Sequence, residues 1–377
     1  MIDSKLPKVL VLAYSDVRSD PRIMKQCSAL TDAGYDVSFH GVKYTADVIN
    51  EKFRVKLYFY RSKRRLVQYL QYFVLMAIFL GVQANNIFKK PIIIVHNMPN
   101  FLVIPCVLSR FLGSKVVLDL HDDPVLVLSK VVTNKFILAI LDFIENSISL
   151  RVPNKLMTVN SLLLRSVVER TEKEVFLLHN SPESVLRDCS YKYTKGSPIK
   201  LVFIGHLGTH YGLPDLIEYL GRIKNVVPVT LDIFGDGSVR DELEKLIYKF
   251  QLQQSVKLHG RFLAKDISPI LSRFDLGVAL YPKTELTNII LPVKILEYTF
   301  NCLPSLTSPL NVTQDYFQKK SLIYIETYKD FKKSLEDIFS GRINLETLHR
   351  YALSDVSGIS WKQERERFLE FIGKLHA

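Results

Sequence analysis

Short, fully apolar runs that alternate with helical segments constrain this 377-residue chain more than any other feature. Val9 to Ala13 is such a run, the mark of a strand buried on both faces. Asp20-Pro21 then opens a helix, with Asp20 placed to cap it and Pro21 suited to the first helical position. Gly34 closes that helix, and Tyr35 to His40 reads as the next strand, completing a βαβ unit. Val55 to Tyr60, Ile92 to Val95, Lys115 to Leu120, Lys155 to Val159 and Val175 to Leu178 continue the strands, with helical periodicity between them. One of those helices is expected from about Asn134 to Leu150. Such alternation predicts a parallel, doubly wound sheet.

A polar stretch without periodicity, Asn180-Ser181-Pro182 and then Tyr191 to Pro198, reads as a linker. The alternation then restarts. Ile199 to Ile204, Val229 to Phe234, Val256 to Leu258, Leu276 to Leu280 and Leu322 to Ile325 are strand-like. Three of these runs end in glycine: Gly205, Gly235 and, after His259, Gly260. Trp361 to Leu375 is a final helix of mixed charge. The expected layout is an acceptor-side domain over 1–183, a linker over 184–197, a second domain over 198–355 and a closing helix over 356–377 that returns to the first domain. Ligands of such sheets bind beyond the carboxyl ends of the strands, and two of them joined by a linker predict a crevice between.

Composition narrows the partners. A net charge of +12 suits nucleic acid, anionic lipid or phosphorylated substrates. Arg54, Lys56, Arg61, Lys63, Arg64 and Arg65 precede an apolar segment of about 17 residues, Leu66 to Val82, at the short end for crossing a bilayer. That pairing reads as a partly buried helix lying on an anionic membrane surface, or as a plain core helix with a solvated basic lead-in. The basic residues do not alternate with aromatics spaced for base stacking, so a nucleic-acid partner is not expected. The four cysteines, Cys27, Cys106, Cys189 and Cys302, form no C-x-x-C pair and suggest free thiols in a reducing compartment. Met1 to Lys8 is polar and charged, so no signal peptide is expected.

Several side chains fall at strand ends. His96 and His121 each close a strand of the first half. Asp119, Asp122 and Asp123 invite a metal reading, but no matched ligand set accompanies them. In the second half Gly205-His206-Leu207-Gly208-Thr209-His210-Tyr211-Gly212 precedes a helix, and its glycines would let backbone amides approach a phosphate. It has neither Walker nor dinucleotide spacing. Gly235-Asp236-Gly237 has a similar place. Leu291-Pro292-Val293-Lys294-Ile295-Leu296-Glu297-Tyr298 puts Lys294 and Glu297 on one helical face, just past a strand. This is either an exposed ion pair or the cation and carboxylate that a nucleotide sugar needs.

In order along the chain, these segments resemble a GT-B glycosyltransferase, closest to glycosyltransferase family 4. The resemblance rests on Ser19-Asp20-Pro21-Arg22, Val95-His96-Asn97, Asp119-Leu120-His121-Asp122, His179-Asn180-Ser181-Pro182, the three glycine strand ends and Leu291-Pro292-x-Lys294-x-x-Glu297-Tyr298. It implies an α/β chain of two Rossmann-like doubly wound domains facing a central cleft. It also implies a nucleotide-sugar donor, a glycan or lipid-linked acceptor, and no cofactor or metal. Glu297 would hold the ribose hydroxyls and Lys294 would lie near the diphosphate. Gly205, His206, Tyr211, Gly235 and Gly237 would surround the phosphates, with His259, Gly260 and Arg261 beside the base. His121 and Asp122 would be catalytic, and Ser15, Asp16, Arg22, His96 and Asn97 would line the acceptor side. A retaining outcome follows from the family; an inverting one follows from a partial likeness to mannosyltransferases acting on lipid-linked chitobiose. A cytoplasmic enzyme, peripheral on the inner face of the plasma membrane and serving cell-surface polysaccharide synthesis, is the expectation.

Three departures qualify it. Ile289 stands where the family has a second glutamate, eight before Glu297, and His206 and Tyr211 stand for its arginine and lysine. Cys302 replaces a usual glycine. Ile289, His206 and Tyr211 motivate an alternative, a non-catalytic binding or scaffold protein of the same fold.

Overall fold

A computed structural model describes residues 6–44, 51–62, 64–129, 132–183 and 193–376. The chain divides into two compact units, Met1–Asn180 with Gln363–Ala377, and Ser181–Lys362. The expected linker falls mostly on residues 184–192, outside the described residues.

The first unit holds a seven-stranded parallel sheet. Its strands are β1 (Lys8–Leu12), β2 (Asp36–Lys43), β3 (Arg54–Tyr60), β4 (Ile92–His96), β5 (Lys115–Leu120), β6 (Lys155–Thr158) and β7 (Val175–Leu177). Their order is β3-β2-β1-β4-β5-β6-β7. The direction of winding therefore reverses between β1 and β4, the place where open sheets of this kind bind ligands. Helix α1 (Pro21–Asp32) follows β1; Asp20 caps it by accepting from the amides of Arg22 and Ile23, both at 3.2 Å. Helix α2 (Arg65–Ala84) buries only one stripe, Leu75, Phe79 and Gln83, each four residues apart. Its opposite side leaves Leu66, Leu70 and Phe73 exposed. By length and composition α2 is long and apolar enough to cross a membrane.

The helix expected over 134–150 is regular only for Lys135–Asp142 and then widens into a π-helical stretch, Phe143–Ile148. The last helix, Trp361–His376, contributes Glu364 to the first unit, where its carboxylate accepts from the His179 amide at 2.9 Å.

The second unit holds a six-stranded parallel sheet. Its strands are β8 (Ile199–Ile204), β9 (Val229–Phe234), β10 (Val256–Gly260), β11 (Leu276–Ala279), β12 (Ser305–Thr307) and β13 (Ile323–Tyr324). The order is β10-β9-β8-β11-β12-β13, with the reversal between β8 and β11. Strand β12 escapes a reading of the sequence because three residues carry no period.

Pro292 caps the helix that carries Lys294 and Glu297; its ψ of 106° is extended, and the helix is Val293–Phe300. One further expectation is corrected. The cysteines are not all free thiols: Cys27 and Cys106 are free and buried, but Cys302 is disulfide-bonded. Wide spacing in sequence says little about spacing in a fold. Cys302 also has φ of +61°, which explains why a glycine suits this position.

Candidate active site

In the first unit the site is built on adjoining strands. His96 and Asp119 are register partners on β4 and β5, so their side chains leave the same face; His121, two residues on from Asp119, shares that direction. His96 Nδ1 lies 3.0 Å from His121 Nε2 and 3.3 Å from Asp119 Oδ2, and His121 Nε2 is 3.5 Å from that same oxygen. Along the chain this convergence shows only as two histidines at strand ends. It is a set that could ligate a metal.

Asp119 is already committed elsewhere. Arg22 grips both its oxygens, at 2.8 and 2.9 Å, and Gln26 donates to Oδ2 at 2.7 Å. Burial alone would raise the Asp119 pKa, but Arg22 and the histidines hold it well below the usual carboxylate range. A guanidinium sits where a cation would be needed, so the residues present do not make a good metal cage. Asp123 is likewise occupied: Oδ1 accepts from the Val125 amide at 2.9 Å and Oδ2 pairs with Arg170 at 3.0 Å.

The residues expected on the acceptor side separate into two groups. Arg22 is buried, and its Nη1 donates to the Leu178 carbonyl at 2.7 Å, so it supports Asp119 rather than facing a ligand. His96 is fully buried, and burial lowers its pKa against the pull of Asp119. Asp16 is buried against Arg18 and accepts from the Tyr44 amide at 3.0 Å. These three correct the expectation of direct acceptor contact. Asn97 ties two strand ends together, accepting from the His121 amide at 2.7 Å and donating to the Asp122 carbonyl at 2.8 Å. Ser15 lies at the end of β1, its carbonyl accepting from the Val42 amide at 3.1 Å. His121 has 19% of its side chain exposed, the one member of the histidine–aspartate group open to solvent.

In the second unit three adjacent strands end in glycines of positive φ: Gly205, Gly235 and Gly260. The Gly205 amide donates to the Phe234 carbonyl at 2.9 Å, and the Gly235 amide to the Gly260 carbonyl at 2.7 Å. A Cβ on Gly235 would meet the Gly205 carbonyl oxygen at 1.8 Å. Close approach, not amide donation to a ligand, is thus what these two glycines provide, a correction to the expected phosphate contact. The Gly237 amide is similarly taken by Asp236 Oδ1 at 2.9 Å.

Lys294 lies under this rim. It is buried, so the exposed ion-pair reading fails. Its Nζ is 3.8 Å from the Tyr211 ring centre and 5.2 Å from that of Phe203. It would be 2.9 Å from a Cβ placed on Gly205. Burial pulls its pKa down to about 8, with Glu297 opposing. The helix is fixed by Tyr298, whose hydroxyl accepts from the Ile204 amide and donates to the Val278 carbonyl, both at 3.2 Å. Gly277 makes room for that ring: a Cβ there would meet it at 2.3 Å. Glu297, half-buried, shares the Lys294 helix.

His206 lies near Gly237, whose Cβ would meet its ring at 2.8 Å. His259 stacks on Phe234, with centroids 4.2 Å apart, and pairs with Asp232. Arg261 bonds Asp236 at 3.1 Å and is largely exposed. A cavity of about 220 Å³ also opens here, lined by Gly212, Tyr281, Ser308 and Glu326 among others. None of the expected donor residues lines it. The Lys294 rim, by contrast, combines a buried cation with the winding reversal.

Solved structures with this fold include a sucrose-phosphate synthase from Thermosynechococcus elongatus (13% identity, 98% of this chain and 99% of that one, TM-score 0.73). A glycosyltransferase from Rickettsia africae ESF-5 is similar at 12% identity, with 98% of each chain covered and a TM-score of 0.72. So is Anabaena Alr3699/HepE in complex with UDP-glucose, at 12% identity, 98% and 100% coverage and a TM-score of 0.67. No curated protein matches the sequence significantly. Residues 192–354 match the family described as "Glycosyl transferases group 1". The chain has the GT-B fold. The family match spans the second unit almost entirely, including Gly205, Gly235, Lys294 and Glu297. Both Rossmann-like sheets of the fold are present.

Proposed function

We propose that this protein is a glycosyltransferase that moves a hexosyl group from a nucleotide sugar, held by the second unit, to a glycan or lipid-linked acceptor, in the manner of family 4. The carrying observation is the buried ammonium of Lys294 beneath the Gly205–Gly235 rim, at the reversal of the sheet. A nucleoside diphosphate leaves as an anion, and a desolvated cation stabilises that charge without a metal. Glu297, on the same helix, is assigned to the ribose hydroxyls, which a carboxylate can accept. The Anabaena neighbour was crystallised with UDP-glucose, which favours a uridine nucleotide as the first donor to test.

In the proposed reaction the bond between the anomeric carbon and the diphosphate oxygen breaks, and that oxygen keeps the electron pair. A bond forms from the acceptor hydroxyl oxygen to the same carbon, with retention, and the hydroxyl proton passes to the departing diphosphate oxygen. His121, with Asp122 beside it, is assigned to the reacting hydroxyl because it is the exposed ring of its group. The basic residues before α2 and its exposed apolar side support peripheral docking on an anionic, cytoplasmic membrane face, in keeping with cell-surface polysaccharide synthesis.

The scaffold alternative drew on His206, Tyr211 and Ile289. The Tyr211 ring sits on the Lys294 ammonium, so this replacement keeps a cation in place. Calorimetry with UDP, GDP and ADP tests the assignment. One of them should bind, and Glu297→Ala should weaken it at least tenfold with the fold intact; binding unchanged in that variant rejects the nucleotide site.

A further inference from the structure

Three adjoining strands of the first sheet bring one guanidinium and two aromatic rings to the same edge. Tyr14 lies just past the end of β1, Tyr44 just past β2 and Arg61 just past β3. These strands are parallel, so all three residues stand at the carboxyl edge, beside the winding reversal at β1, where open sheets take ligands. The Arg61 guanidinium carbon is 5.2 Å from the centre of the Tyr44 ring and 5.7 Å from that of Tyr14. Its Nη1 donates to the Tyr44 hydroxyl at 2.7 Å.

The two rings are themselves held. The Tyr14 hydroxyl donates to Gln71 Oε1 at 2.5 Å, and the Ser62 amide donates to the same oxygen at 3.0 Å. Gln71 Nε2 returns a bond to the Tyr60 carbonyl at 2.7 Å. One side chain of α2 thus ties the Tyr14 ring to the strand end that carries Arg61. The Tyr44 amide donates to Asp16 at 3.0 Å, and that carboxylate is taken by Arg18. Arg61 is exposed and forms no ion pair among the described residues. A guanidinium has five N–H donors, and the Tyr44 hydroxyl answers one of them. Because the rings already orient the fork, little side-chain freedom is left to lose when an anion arrives.

The neighbouring surface is apolar. The first half of α2 leaves Leu66, Leu70, Phe73 and Val74 exposed, whereas its second half exposes only Leu80 among the large apolar side chains. Leu66, Leu70 and Phe73 recur at helical spacing and make one stripe roughly 10 Å long. Arg64 and Arg65, at the start of the same helix, are exposed and form no ion pair among the described residues. Unpaired cations and bare hydrocarbon surface are therefore gathered at one end of α2. A free sugar phosphate would use only the first and a neutral chain only the second; an amphiphile with an anionic head uses both.

We propose that Arg61 is the subsite for the phosphate group of an amphiphilic acceptor, whose hydrocarbon chain lies along Leu66, Leu70 and Phe73. The planar fork takes two phosphate oxygens, and the tyrosine rings keep it facing them. This narrows the acceptor to a lipid phosphate and rests on the transferase reading above. Arg61 is a specificity residue and touches no reacting atom.

The test uses the full-length protein and calorimetry with three probes below their micelle concentrations: octyl phosphate, octyl β-glucoside and glucose 1-phosphate. Octyl phosphate should bind at least tenfold more tightly than either of the others. Arg61→Gln should remove that advantage with Tm and UDP binding unchanged. Arg61→Lys keeps the charge but loses the fork, and should restore less than a third of the affinity. Leu70→Ser, on the exposed side of α2, should weaken octyl phosphate at least threefold. Octyl phosphate that Arg61→Gln still binds as the wild type does, or that binds no better than glucose 1-phosphate, would overturn the proposal. Equal binding of octyl β-glucoside would overturn it in favour of a surface that reads the chain alone. Full rescue by Arg61→Lys would reduce the site to general positive charge and count against it as well. UDP binding, measured in parallel, separates these failures from a failure of the donor assignment.

Discussion

The Lys294 ammonium nitrogen lies 3.8 Å from the centre of the Tyr211 ring, close enough for the face of the ring to hold a desolvated cation. Such a contact is worth about 2 kcal/mol when water is excluded. Tyr211→Phe keeps the ring and should leave nucleoside diphosphate affinity within about twofold. Tyr211→Ala should weaken it by roughly tenfold or more. Calorimetry on the two variants checks the difference.

Lys294 costs the fold stability. Its folded pKa of about 8 lies below the unfolded value near 10.5. Between these limits the unfolded chain binds more protons, so this residue makes stability rise with pH. Below pH 8 the full cost, about 3 kcal/mol, is present. Lys294→Met should therefore raise Tm at pH 7, lose that advantage above about pH 10.5, and bind no nucleotide. A lower Tm at pH 7 would contradict the burial argument.

Glu145 behaves in the opposite sense. Burial, reinforced by Asp123, raises its pKa from the ordinary carboxylate value to about 7. From about pH 4.5 to 7 the folded chain holds the extra proton, so stability falls as pH rises. Glu145→Gln should match the wild type near pH 4 and exceed it by roughly 3 kcal/mol at pH 8. Urea unfolding at the two pH values reads this directly.

Asp119 is the buried anion that balances Arg22. Its depressed pKa means that its contribution is present above about pH 3.8 and fades only as pH falls through the still lower folded value. Asp119→Asn leaves the guanidinium buried and uncompensated, which costs about 3–5 kcal/mol. The loss should show in urea midpoints at pH 7.

Gly235→Ala should disrupt the rim, since the new Cβ would meet the Gly205 carbonyl and the residue would sit at φ +149°. We expect a lower Tm and loss of nucleotide binding together. A variant that melts normally and still binds would show that the rim can open without harm.

Much of this fold was legible in the chain because parallel strands buried on both faces leave unbroken apolar runs, as in Ile92–Val95. Asp20, Pro21 and Gly34 delimited α1 because caps are local chemistry. The partnerships inside the site were not local. Arg22 reaches Asp119 across 97 positions, and nothing in either segment announces the other. Glu145 looked like an ordinary charge within a helical period, and only the fold reveals that it is enclosed. Lys294 was found by spacing, but its burial depends on Phe203 and Tyr211, from a different strand and loop.

The fit of the Tyr298 ring against Gly277 also binds the two positions to each other in descent: a change at one strains the other. One position supplies bulk and the other an absence, and each makes sense only while its counterpart persists. Among relatives that share this sheet, a side chain at the place of Gly277 should accompany a smaller residue at the place of Tyr298. The two should drift as a unit, even where the surrounding sequence has diverged beyond alignment.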